Sequence, residues 1–159
     1  MIIAGLDPGL AATGYGVIES KGNVLTPLTW GVIRSGEGEL ADRLAKLHDR
    51  ILTILDEYRP EMVAVEAIFS GNNARSALLL GHARGALLLA AAAGERKVLE
   101  YPARVIKQAV VGRGAASKEQ VRFMVGRILN TPEDKIPFDA SDALAAAVCG
   151  YLREGRGSG

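Results

Sequence analysis

The sequence predicts an α/β protein: a mixed five-stranded sheet with helices on both faces. Three observations point there. Strand-like runs crowd the first 34 residues with only turn-length connections. From Leu40 the apolar period lengthens to three and four residues. Two more short apolar runs then alternate with helical stretches. The 159 residues are one domain's worth and enough to bury a core. A single domain over 1–153 is expected, with the Gly-, Arg- and Ser-containing 154–159 as a flexible tail.

Met1–Asp7 is a short apolar run stopped by an Asp-Pro-Gly turn. Thr13–Ser20 and Val24–Arg34 are the next strands, and the short links between all three suggest an antiparallel meander. Leu40, Leu44, Leu47, Ile51, Leu55 and Tyr58 mark one face of an amphipathic helix that Pro60 ends. Met62–Glu66 is a buried strand that again finishes in a carboxylate. Asn72 and Asn73 offer an N-cap for a helix reaching about Ala93. That helix is apolar on nearly all sides, which predicts a core or subunit-interface position, and Gly81 and Gly85 would let another helix approach closely. Lys97–Tyr101 is the fifth strand, and Pro102 suits the first turn of a helix ending near Gly112. Arg113–Ala116 is a basic loop, and Ser117-Lys118-Glu119-Gln120 has capping-box spacing. Asp139 to about Leu152 forms the last helix.

Composition narrows the function classes. Hydrophobic residues make up 48% and charged residues 23%, as in ordinary globular proteins. The single Cys149 excludes a disulfide framework within one chain, and its apolar surroundings predict a buried structural thiol. The first residues lack the basic start and apolar core of a signal peptide, and no run is long and apolar enough to span a bilayer. A cytoplasmic protein without a membrane partner is expected. Charge is unevenly spread: residues 1–70 carry 6 basic and 10 acidic side chains, whereas 71–133 carry 10 basic and 4 acidic. Beside a carboxylate site, that asymmetry suggests metal and polyanion sharing one surface.

Two predicted strands end in acids, Asp7 and Glu66, and strand ends form the rim where α/β sheets bind ligands. Asp139 and Asp142, three apart on the last helix, share a helix face. If that helix crosses the sheet, four carboxylates meet. Two like charges about 4 Å apart cost roughly 4 kcal/mol at an effective dielectric near 20, so protons or cations must relieve them. Oxygen-only donors favour Mg2+ or Mn2+ over zinc. Two such ions about 3.5–4 Å apart can activate water and stabilise the leaving oxygen of a phosphodiester. Taken singly, Asp7 could be a turn residue, and Asp139 and Asp142 could be helix caps. Glu66, at the end of an apolar strand, needs a partner in any case.

The sequence resembles the RuvC family of bacterial Holliday-junction resolvases over essentially its whole length. The matching stretches are Gly5-Leu6-Asp7-Pro8-Gly9, Thr13-Gly14-Tyr15-Gly16, Val65-Glu66-Ala67-Ile68-Phe69 and Asn73-Ala74-Arg75-Ser76-Ala77. Leu80-Gly81-His82-Ala83-Arg84-Gly85, Lys107-Gln108-Ala109-Val110-Val111-Gly112 and Asp139-Ala140-Ser141-Asp142-Ala143-Leu144-Ala145 complete the set. The resemblance implies a ribonuclease H-like fold, and a homodimer whose subunits each nick one of two opposed strands at a four-way DNA junction. By match, Asp7, Glu66, Asp139 and Asp142 hold two Mg2+ per subunit, with Mn2+ also supporting activity. Some relatives carry His where this chain has Asp139, so the ligand set here is all oxygen. Partnership with the RuvA and RuvB branch-migration proteins is implied in the same way.

Phe69, with polar Ser70-Gly71-Asn72-Asn73 after it, is the candidate to stack on an unpaired base. Asn73, Arg75, Arg104, Lys107, Arg113 and Lys118 are the candidate DNA contacts; Lys107 and Lys118 match basic family positions, while Arg104 and Arg113 follow mainly from charge. Among other readings, an actin-like ATPase domain needs a second phosphate turn and a second domain, which 159 residues do not supply. A non-catalytic DNA-binding module has no use for four acids beside a polyanion. A nuclease of the same fold acting on structured RNA remains the alternative. Phe69→Ala is expected to leave metal binding intact and slow junction cutting under single turnover; cutting at the wild-type rate would remove Phe69 from the stacking role.

Overall fold

The computed structural model describes residues 1–67 and 73–155. Strand β1 (Ile2–Asp7) is the middle of a five-stranded sheet, with β2 (Ala12–Lys21) and β3 (Val24–Arg34) on one side. On its other side lie β4 (Met62–Ala67) and β5 (Lys97–Pro102). The order is β3-β2-β1-β4-β5, and the first three strands are antiparallel as the short links predict. β1, β4 and β5 run parallel, because helical crossovers return the chain to the same edge.

Helices α1 (Leu40–Tyr58) and α2 (Ala74–Ala92) cover one face; α3 (Ala103–Val111), α4 (Lys118–Ile128) and α5 (Phe138–Glu154) cover the other. A single 3-10 turn at Glu133–Lys135 lies in the loop before α5. The expected capping box is present: Ser117 Oγ accepts from Gln120 N at 3.1 Å, and Gln120 Oε1 accepts from Ser117 N at 2.9 Å. Asn73 caps α2 by accepting from Ser76 N at 2.9 Å. Asn72, the other expected cap, and the tail residues 156–159 lie outside the described residues.

The strand period of two sorts the side chains. On β1, Ala4 and Leu6 face α1 and α2, whereas Ile3 faces α5. On β4, Val63 and Val65 join the first group and Met62 and Ala64 the second. Asp7 and Glu66 therefore continue the α5-facing rows, each one residue past the register pair Leu6–Val65. Each fully buried Ile, Leu or Val in these rows stabilises the fold by about 1.5–3 kcal/mol.

The most enclosed helix is α5, whereas α2, expected in the core or at a subunit interface, is exposed along one side. Residues Ala143–Tyr151 of α5 are all buried, between the sheet and α3 and α4. α2 buries only Ala83, Leu87, Ala90 and Ala91, and leaves Leu78 and Leu89 more than 60% exposed. What lets α5 sink so deep is a floor of glycines. A Cβ on Gly5 would sit 1.9 Å from the Ala143 carbonyl oxygen, and one on Gly14 would sit 1.9 Å from that of Asp139. Gly16 would strike the Leu144 side chain at 2.5 Å. Helix backbone thus rests directly on strand backbone, a contact that any side chain would prevent.

Gly5→Ala is expected to push α5 outward, destabilise the fold by roughly 1–3 kcal/mol or more and lower Tm by several degrees in a thermal melt. An unchanged Tm would show that Gly5 does not set this contact.

Candidate functional site

The parallel strand ends, the start of α5 and the inner faces of α3 and α4 enclose a small cleft of about 130 Å3. Asp7 and Glu66 enter from the sheet and Asp142 from α5; Lys107 comes from α3 and Lys118 from α4. Ala103, Ile106 and Val121 supply an apolar wall. Asp139 is half-buried at the first turn of α5 and acts electrostatically on Asp7, Asp142 and Lys118. Pro137 O accepts from Ser141 N at 2.8 Å, which anchors the first turn that carries Asp139 and Asp142.

The turn that presents Asp7 is fastened by Thr13. Its buried hydroxyl donates to the Gly9 carbonyl at 2.7 Å, closing the Asp7-Pro8-Gly9 loop. Gly14, cross-strand from Asp7, leaves the space into which the Asp139 carbonyl fits. Thr13 and Gly14 are thus site-building residues that periodicity does not reveal. Ser141, next to Asp142 in the chain, is fully buried, and its hydroxyl has no hydrogen-bond partner among the described residues.

Burial is the largest influence on these acids. It raises the Asp7 carboxyl to about 8, reinforced by Glu66, Asp142 and Asp139 and opposed by Lys118. Burial and Asp142 raise Glu66, with Lys107 and Lys118 working against them. Asp142 is also raised by burial, against the pull of Lys118. Lys118, whose Nζ lies 3.6 Å from Asp142 Oδ2, is raised chiefly by that carboxylate. Among the described residues no three His, Cys, Asp or Glu side chains close into a ready-made metal cage. The donor set nonetheless suits a hard cation. Burial first, and neighbouring acids second, raise these half-buried carboxyls, a penalty that a divalent ion would relieve where the lysines do so only in part.

The remaining described sequence candidates are not among the residues that line this cleft. Arg104 on α3 and Arg113 in the following loop are exposed, and the Arg104 side chain lies across Gly114. Asn73 and Arg75 are exposed at the start of α2. Phe69 lies outside the described residues. A larger groove of about 620 Å3, between α4 and the loop at Asn130–Glu133, contains none of the four acids.

The sheet order, the crossing α5 and acids at the parallel strand ends define a ribonuclease H-like α/β protein. Known proteins make the class specific. The family model "Crossover junction endodeoxyribonuclease RuvC" matches residues 3–150. A RuvC of Desulforamulus reducens is 48% identical over 150 residues, covering 94% of this chain and 92% of that protein. The Thermus thermophilus RuvC structure superposes with a TM-score of 0.86 at 37% identity, over 98% of both chains. The same protein in complex with a Holliday junction substrate gives 0.87 at 34% identity, again over 98% of each chain. The chain belongs to the RuvC family of crossover junction endodeoxyribonucleases.

An acid raised in the folded state favours the protonated fold, so its contribution to stability is lost as pH rises from its unfolded value toward the folded one. For Asp7 that window runs from 3.8 to about 8. In chelator, Asp7→Asn is expected to melt with wild type below about pH 4 and several degrees above it at pH 8. Mg2+ should narrow the gap by raising the wild-type Tm. Equal melting of the two proteins in chelator at pH 8 would contradict the electrostatic account.

Proposed function

We propose that the chain resolves four-way DNA junctions by one nick in each of two opposed strands, with Asp7, Glu66, Asp139 and Asp142 as its metal ligands. The observation that carries this reading is the half-buried acid cleft with Lys107 and Lys118 on its wall, in a fold that superposes at 0.87 on a relative bound to a Holliday junction. Asp7, on the central strand and acted on by Glu66, Asp142 and Asp139, would hold Mg2+ together with those acids. When bound, the ions polarise the phosphodiester and make water a better nucleophile, a role Mn2+ can also fill.

The protein's own groups do the rest. The four acids fix the cations at the strand ends, and the apolar wall of Ala103, Ile106 and Val121 limits bulk water. Lys107 and Lys118 draw the phosphate backbone toward the cleft, while Arg75, Arg104, Arg113 and Asn73 extend the contact outward. Water's oxygen bonds to phosphorus as the bond to the 3′ oxygen breaks, leaving a 3′-hydroxyl and a 5′-phosphate that ligase can seal. No covalent enzyme intermediate is needed.

Two opposed nicks need two clefts, which a homodimer supplies. The candidate interface is the exposed stripe of α2, where Leu78, His82, Gly85 and Leu89 recur at helical spacing. Family membership also suggests RuvA and RuvB as partners. Among the described residues no helix is long and apolar enough to cross a membrane, in keeping with a cytoplasmic DNA enzyme.

The deciding experiment offers Mg2+ with a synthetic four-way junction, a linear duplex and a structured RNA. Paired symmetric nicks on the junction alone, lost in Asp7→Asn, are expected. Cutting of the RNA instead, or junction binding without cutting, would overturn the resolvase reading.

A further inference from the structure

Arg122 carries none of the roles assigned above, yet its setting is unusual. It follows Lys118 by four residues on α4, so the two side chains leave one helix face a turn apart. Its guanidinium carbon lies 4.1 Å from the centroid of the Phe138 ring. Phe138 opens α5 and directly precedes Asp139. Arg84 and Arg96, by contrast, are each taken up by an acid, Glu100 and Asp56. Among the described residues no carboxylate pairs with Arg122.

A guanidinium stacked on a ring face keeps its N–H donors in its own plane, alongside the ring rather than into it, where they can still bind an acceptor. The ring restricts the side chain beforehand, so less freedom is lost when those donors are engaged. The planar fork matches the two free oxygens of a phosphodiester. Arg122 also stands outside the cleft itself: Lys107 and Lys118 act on the buried acids, whereas Arg122 is not among the charges that do. Lys118 shares its charge with Asp142, 3.6 Å away, whereas Arg122 has no such acid beside it among the described residues.

We propose that Arg122, held against the Phe138 ring, is a phosphate clamp at the rim of the acid cleft that grips the backbone of the strand being cut. The clamp rests on the junction reading above. The side-chain pair is its signature: Arg122 supplies the charge and fork, and Phe138 acts only by holding it.

The test measures junction binding against salt, with Asp7→Asn as the parent so that no cutting intervenes. Arg122→Gln is expected to flatten the slope of log K against log salt by ~0.9, the loss of one phosphate contact. Arg122→Lys and Phe138→Leu keep the charge, so their slopes should match the parent while affinity falls by up to about tenfold. Thermal melts identify any variant that fails to fold; should Arg122→Gln do so, the other two variants decide. Parent binding with an unchanged slope in Arg122→Gln would overturn the clamp alone. Parental affinity in both Arg122→Lys and Phe138→Leu would overturn the stacked fork. No junction binding by the parent would overturn the junction reading beneath it.

Discussion

Backbone-to-backbone contact between α5 and the centre of the sheet is the constraint on which the site depends. A helix normally stands off a sheet by the thickness of two layers of side chains. Here Gly5, Gly14 and Gly16 remove one layer, and Ala143 and Ala147 thin the other. The carbonyls of Ala143 and Asp139 then occupy space that a single methyl would fill. This contact draws the first turn of α5 over the end of β1 and brings Asp142 into the cleft with Asp7 and Glu66.

That geometry sets the electrostatics. A carboxylate at a strand end would be solvated and ordinary if α5 stood farther off. Once α5, α3 and α4 close over it, Asp7 loses water and gains three acidic neighbours, and its carboxyl rises to about 8. The fold therefore carries stored repulsion at one place. Lys118, anchored at the head of α4 by the Ser117–Gln120 capping box, offsets part of it. The rest is a penalty that a bound cation would relieve. Stability given up at the cleft is supplied by the apolar rows on both faces of the sheet.

Much of this was legible along the chain. The five strands, the antiparallel opening and the parallel continuation follow from short links first and helical crossovers later, because loop length restricts strand direction. Asp7 and Glu66 were legible because each ends an apolar run, and Asp139 and Asp142 because they share a helix face. For α2 the sequence leaves two placements open, core or subunit interface. Its unbroken apolarity resembles that of a buried helix, yet Leu78 and Leu89 are exposed, and the truly enclosed helix is the alanine-rich α5. Hydropathy reports how apolar a helix is; which side meets the core depends on what lies opposite. Arg122 was passed over for a related reason, since its partner Phe138 is 16 positions away and only the α4–α5 contact joins them.

Sequence by itself determined the element order and the Asn73 and Ser117 caps, and singled out Asp7, Glu66, Asp139 and Asp142 as candidates, because each depends on neighbours within a few residues. Tertiary structure decided that α5 lies directly on glycine, that Thr13 fastens the Asp7 turn, and that Lys107 and Lys118 share the cleft with Asp7, Glu66 and Asp142. These depend on distances between segments far apart in the chain, and on desolvation that exists only after the layers close. A glycine in a strand looks the same in sequence whether it faces water or the backbone of a helix; only packing tells the two apart.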